Sequence, residues 1–78
     1  MHTPDLKSLD TLSEGSSATL VALGGERSFR MRLMELGLLP GCSLKLIRYA
    51  KVGGVLELEV RRCRLILRNG AAREIFVR

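Results

Sequence analysis

The segment Arg27 to Ala50, RSFRMRLMELGLLPGCSLKLIRYA, allows the backbone few choices. Ser28 is placed to cap a helix, its side-chain oxygen accepting from a backbone N–H one turn on. Apolar residues then recur at helical spacing. At about 100° per residue, Phe29, Leu33 and Leu36 fall within a sector of roughly 60°, and Arg30, Met31, Met34 and Glu35 point away from it. The spacing predicts a helix from about Ser28 to Leu36. Gly37 ends it, because glycine takes the left-handed conformation needed one residue past the cap, which places Leu38 to pack back on Leu33 in a Schellman motif. Pro40-Gly41 is a turn in which proline presets φ at the second position and glycine tolerates positive φ at the third. The chain therefore reverses and enters Cys42 to Arg48 extended.

The remaining residues read as short β elements around that helix. Residues 1–8 show no apolar periodicity and Thr3-Pro4 disfavours an early helix, so they read as a flexible lead-in to one domain over 9–78. Leu9 and Leu12, ahead of Gly15, read either as a short helical turn or as an extended lead that tucks both leucines under the sheet. Ala18 to Leu23 is an apolar run between glycines, the pattern of a core strand, and its slipping alternation suggests a bulge. In the next strand Cys42, Leu44 and Leu46 alternate with polar residues until Ile47 breaks the pattern. Val55 to Val60 follows the Gly53-Gly54 loop with Leu56, Leu58 and Val60 inward and Glu57 and Glu59 outward. Arg61-Arg62 makes a tight connection to a strand with Cys63, Leu65 and Leu67 inward and Arg64 and Arg68 in solvent. Asn69-Gly70 turns again, Ala71 to Arg73 fits one helical turn, and Ile75 and Val77 bring a last strand to the core with Phe76 outside. Five short strands with one helix inserted after the first predict a mainly β fold, a small closed or nearly closed antiparallel barrel.

The 78 residues suit one small core, and 46% hydrophobic with 27% charged residues suits a folded surface. No apolar run approaches the ~20 residues that span a bilayer, and the start MHTPDLKSLD lacks the basic and apolar regions of a signal peptide. Cytoplasm is the expected compartment. In its reducing environment Cys42 and Cys63 are expected as free, small, buried residues. The net charge of +5 is uneven: residues 1–27 carry two basic and four acidic side chains, residues 28–78 eleven and four. A basic second half favours an acidic partner, nucleic acid or an anionic membrane face.

Chemistry finds little purchase. The one histidine, His2, stands near the terminus, no GxxxxGK[ST] phosphate loop occurs, and Glu57 with Glu59 reads as a solvated strand face, so no catalytic activity is expected. His2, Cys42 and Cys63 lack metal-ligand spacing, so neither a metal nor a cofactor is expected. The outward face of the helix is more informative. Arg27, Met31 and Met34 lie opposite Phe29 and Leu33, setting two adaptable thioethers in solvent beside a cation and, with Leu39, forming a candidate protein-docking patch. An equal alternative has the lead-in, with Leu6 and Leu9, folding over this face. Arg32 flanks the apolar face, its stem covering the core edge and its head free to bond a loop carbonyl or Glu35. Arg61, Arg62, Arg64 and Arg68 gather on one hairpin, either as a solvated basic loop or against an acidic partner or anionic leaflet, where each charge contributes about 1 kcal/mol.

The run RLMELGLLPGCSLKLIR, followed by Gly53-Gly54, the ELEV strand, RLILR and a final IFV, resembles the FeoA family of small bacterial ferrous iron transport proteins. Its most specific part is Arg32-Leu33-Met34-Glu35-Leu36-Gly37-Leu38 followed by Pro40-Gly41. A similar SH3-like domain is appended to metal-dependent repressors of the diphtheria toxin repressor type, but these residues leave no room for a helix-turn-helix, so the freestanding form is expected. The resemblance implies an SH3-like barrel in the cytosol that associates with FeoB, a membrane permease with a cytoplasmic GTP-binding domain, as a regulator or assembly factor. Two residues depart from the family pattern: Leu39 stands where a polar residue is common, and Cys63 where an aromatic is frequent.

A nucleic-acid-binding barrel is the alternative. Single-strand binders stack bases on aromatic rings, and this chain has Phe29, Tyr49 and Phe76 and no tryptophan. The same scarcity argues against a groove for proline-rich peptides.

Overall fold

The computed structural model describes residues 6–50 and 52–78. Among these residues six antiparallel strands are formed: β1 (Lys7–Ser8), β2 (Ser17–Leu23), β3 (Ser43–Tyr49), β4 (Val55–Val60), β5 (Cys63–Arg68) and β6 (Ile75–Val77). Their order in the sheet is β1-β6-β2-β3-β4-β5. Helix α1 (Arg27–Glu35) follows β2, a 3-10 turn spans Leu9–Thr11, and the one-turn helix α2 (Asn69–Ala72) precedes β6. The architecture is the expected small SH3-like antiparallel fold. It has one strand more than the five anticipated, and the barrel is not closed, since β1 and β5 end the sheet.

The extra strand falls in the expected lead-in. Lys7 pairs with Val77 and Ser8 with Phe76, so these two residues belong to the sheet. They escaped notice because two polar residues carry no alternation and their partners lie at the far end of the chain. The first five residues, with His2 and Thr3-Pro4, lie outside the described ones.

Both breaks in alternation are register shifts. β2 slips against β6 between Leu20 and Ala22, and β3 slips against β4 between Leu46 and Arg48, on either side of Ile47. Each extra residue bends its strand, which curls a short sheet around its own leucines. The enclosed core is Leu9, Leu20, Leu33, Leu38, Cys42, Leu44, Leu46, Leu56, Leu58, Val60, Ala72, Ile75 and Val77. Leu12, Leu65, Leu67 and Tyr49 pack half-buried against it.

Helix α1 starts two residues earlier than Ser28 as its cap would set it. Gly25, at φ +82, turns the chain so that Glu26 is extended as the cap residue, and its carbonyl accepts the first helical bond from Arg30 N–H at 3.0 Å. Ser28 thus lies inside the first turn and caps nothing. The carboxyl end follows the Schellman pattern. Gly37 takes φ +101, its N–H donates to Met34 O at 3.0 Å, and Leu38 N–H donates to Leu33 O at 3.0 Å. Pro40-Gly41 forms the expected turn, with Gly41 at φ +94 and Cys42 N–H donating to Leu39 O at 3.0 Å. Leu20 fastens that turn to β2, accepting from Gly41 N–H at 2.7 Å and donating to Cys42 O at 2.9 Å.

Four further expectations are corrected. Leu36 does not plug the core: it caps α1 and is 47% exposed, because the backward fold of Leu38 fills the space beneath the helix end. Cys63 is exposed, since it follows the turn on a strand with β4 as its one neighbour; Cys42 is buried as anticipated, and both are free thiols. Asn69 and Gly70 belong to α2 rather than to a separate turn, Asn69 O accepting from Arg73 N–H at 3.3 Å. Phe76 is half-buried rather than outside, lying against Gly24, where an added Cβ would sit 3.2 Å from its ring.

Candidate docking site

Helix α1 sets the geometry. Of its residues Leu33 is the buried one, with Phe29 half-buried against the core. Its other apolar side chains fall on two sides. Leu36 extends the Phe29 side and lines a groove of about 710 Å³ between α1 and the β5–α2 corner, whose walls include Phe29, Arg32, Leu33 and Leu36 on one side and Ile66, Leu67 and Arg68 on the other. Ile66 is 70% exposed there. The opposite side carries Arg27, exposed, Met31, 46% exposed, and Met34, half-buried.

The anticipated patch therefore divides. Arg27, Met31 and Met34 share a helix side, and Leu39, 39% exposed, stands in the turn that follows. The described part of the lead-in does not cover them, because β1 runs along β6 and Leu9 enters the core. Arg61 and Arg62 are elsewhere. At φ 50 and 70 they form the two-residue turn between β4 and β5, beside Ser43, Lys45 and Glu59 in a second, smaller depression. The positive φ of both matches the primed turns that suit the right-handed twist of a hairpin. Arg32 lines the groove with an exposed side chain, and among the described residues no bond from it to a loop carbonyl or to Glu35 is formed. It is Arg30, pointing the other way round the helix, that donates from Nη1 to a loop carbonyl, Gly25 O.

Glu57 is more than a solvated carboxylate. Arg48 Nε donates to its Oε1 at 3.1 Å and Arg64 Nη1 to its Oε2 at 2.9 Å, so one carboxylate clasps β3, β4 and β5 across their outer face. Surface pairs of this kind contribute at most about 1 kcal/mol each. Tyr49 forms a second tie that the sequence does not advertise. Its hydroxyl lies 2.9 Å from Asp10 O and 2.6 Å from Leu12 O, sharing one proton between them, and its N–H donates to Glu14 Oε2 at 2.7 Å. Burial, and then the charges of Asp10 and Glu14, push the Tyr49 phenol above its ordinary value of 10.0. Both ties brace the fold away from the groove.

Among the described residues, no three His, Cys, Asp or Glu side chains converge as a metal site would require. The three aromatic rings are all half-buried, which leaves no exposed platform for bases to stack on. The groove residues that sequence reasoning missed are Leu36 and Ile66. Ile66 had a readable signal, as the apolar residue at an outward position of RLILR.

The family model of the FeoA domain matches residues 7–78. A FeoA protein from Chlorobium tepidum is 34% identical in sequence, over 91% of this chain and 68% of that one, and superposes with a TM-score of 0.85. An iron uptake regulatory protein (FeoA) is 23% identical, over 94% of this chain and 95% of the other, at a TM-score of 0.82. A manganese-dependent transcriptional repressor shares the fold at a TM-score of 0.87 and 17% identity, this chain spanning 97% of its own length and 42% of the repressor's. The extent of the family match and the Chlorobium likeness agree with the Leu33-to-Gly41 geometry, and the chain belongs to the FeoA family.

Proposed function

We propose that this chain is a non-catalytic docking module that binds the cytoplasmic part of a FeoB-type ferrous iron transporter and regulates or assists it. Membership of the FeoA family supports the link to iron transport. The observation that carries the docking role is the apolar surface of α1 and its surroundings: Leu36 lines one groove with exposed Ile66 at its β5 rim, while Met31, on the other side of α1, and Leu39, in the turn that follows, stand in solvent. A helix held by one buried leucine has apolar side chains to spare for a partner, and exposed methionine adapts its shape to what it meets. Among the described residues no helix is long and apolar enough to cross a membrane, so the partner supplies the membrane anchorage in this reading. The basic hairpin, with Arg61 and Arg62 exposed in its turn and Arg64 exposed beside them in its pair with Glu57, then lies placed to approach the anionic inner leaflet beside that partner.

The test is capture of the transporter from solubilised membranes by the immobilised chain. Wild type retains it, and a variant carrying Met31→Glu and Leu36→Glu loses it while keeping a wild-type amide spectrum. Retention by the folded double variant would overturn the reading.

A further inference from the structure

Strand β5 ends the sheet and pairs along its whole length with β4, from Val60 opposite Cys63 to Val55 opposite Arg68, without a bulge. The two-residue turn makes Val60 and Cys63 the hydrogen-bonded closing pair. By alternation Leu65 and Leu67 also spend their backbone groups on β4, and Arg64 and Ile66 direct their N–H and C=O to the open edge. Natural sheets blunt such edges with charged side chains, bulges, proline, cover or very short strands, and of these β5 has the first, in Arg64 and Arg68. The opposite edge, β1, has two residues; β5 has six, in unbroken register with β4.

The side chains show what this edge accepts. On its outer face exposed Ile66 stands between Arg64 and Arg68. Two copies pairing antiparallel about Ile66 would set Arg64 of each opposite Arg68 of the other, and like charges directly opposite destabilise a strand pair. Self-pairing is thus disfavoured, and acidic side chains in those positions are favoured, fully opposite Arg68 and, opposite Arg64, in competition with its pair to Glu57. The inner face of the same edge opens on the groove, where Leu36 is exposed and Phe29 half-buried. The acidic lining residues, Glu26 and Glu74, belong to the other end of the groove, beside Gly25.

We propose that β5 is a docking edge for an extended acidic segment of a partner protein, which adds as a further strand with carboxylates against Arg64 and Arg68 and apolar side chains in the groove against Phe29 and Leu36. This deepens the docking reading and rests on it for its biological setting. Backbone hydrogen bonds supply the affinity of strand addition, and alternate side chains supply the selectivity. The matching block is acidic, three apolar, acidic, so that the central apolar residue meets Ile66 and its two neighbours enter the groove.

The probe is a capped ten-residue peptide containing Glu-Val-Ile-Val-Glu, titrated into the full isotope-labelled chain. Binding should shift the amides of Arg64, Ile66 and Leu36 and slow hydrogen exchange at Arg64 and Ile66. Replacing both glutamates of the peptide by lysine should weaken it at least tenfold. Ile66→Pro should abolish binding while leaving the fold, because the N–H it removes is not spent on β4. Equal affinity for the lysine peptide, shifts confined to Met31 and Met34, or concentration-dependent self-association through β5 would each overturn the proposal. Transporter capture undiminished in the Ile66→Pro protein would defeat the edge alone; peptide binding without transporter capture would defeat the transporter reading alone.

Discussion

Helix α1 and the β3–β4–β5 meander carry the clearest apolar patterns in the chain, and they use them in opposite ways. In β3 and β4 the inward positions Leu44, Leu46, Leu56, Leu58 and Val60 are all buried, and pairing across the strands on either side of the Ile47 bulge fixes their register. In α1 the stripe Phe29, Leu33 and Leu36 buries Leu33 alone. An alternating strand has one sheet face to cover and spends its pattern on it. A helix of nine residues laid against a small sheet touches it over barely one turn, so the rest of its stripe stays available. The difference separates residues that hold the fold from residues the fold leaves for a partner.

Substitutions can break or sharpen that contrast. The largest effect is expected at Leu33, where truncation to alanine removes the helix anchor and should cost about 2–5 kcal/mol, much of the stability of a domain this size. Urea denaturation measures it, and a loss below that range would mean that α1 has other holds on the sheet. Gly37→Ala comes next, at about 1–2 kcal/mol, because nothing crowds an added Cβ and the cost is that of φ +101 alone. Gly37→Asn should recover part of it in the same denaturation series. On the meander side, Tyr49→Phe deletes the hydroxyl that ties β3 to the Asp10 and Leu12 carbonyls and should cost about 1 kcal/mol.

Tyr49 also sets an alkaline limit. Its phenol ionises at higher pH when folded than when unfolded, so its contribution is complete below pH 10.0 and is lost as pH rises through the folded value. As the only tyrosine, in a chain without tryptophan, it reports its own ionisation by ultraviolet absorbance, and the midpoint should lie above that of the urea-unfolded chain. The smallest effect on stability is expected at the exposed helix positions: Met31→Glu and Leu36→Glu should each stay within about 0.5 kcal/mol of wild type by the same urea measurement.

Most of the fold was legible because local chemistry dictates it. Gly37, the Pro40-Gly41 turn and the Arg61-Arg62 hairpin each need a particular backbone conformation, and the two lapses of alternation marked the two bulges. What was not legible depends on contacts distant in sequence or on crowding within a motif. β1 exists through its pairing with β6, and Ser28 yields to Gly25 because an earlier turn already sets the chain on its helical course. Leu36 reads as core by periodicity, yet the motif that ends the helix puts Leu38 into the space that periodicity reserves for it. Cys63 reads as inward by alternation, but a strand at the edge of a sheet lacks the neighbour that would cover it. The candidate site was half-legible for the same reason: Met31 and Leu39 are outward by pattern, whereas the groove appears only once α1 and β5 face each other across it.

The most direct test of a helix whose surplus apolar surface serves a partner is the affinity of the transporter's purified cytoplasmic part for the wild-type chain and for Leu36→Glu, measured with the variant's fold verified by its amide spectrum. The account predicts at least tenfold weaker binding, about 1.4 kcal/mol, in a variant of unchanged stability. Unchanged affinity in that folded variant would contradict it.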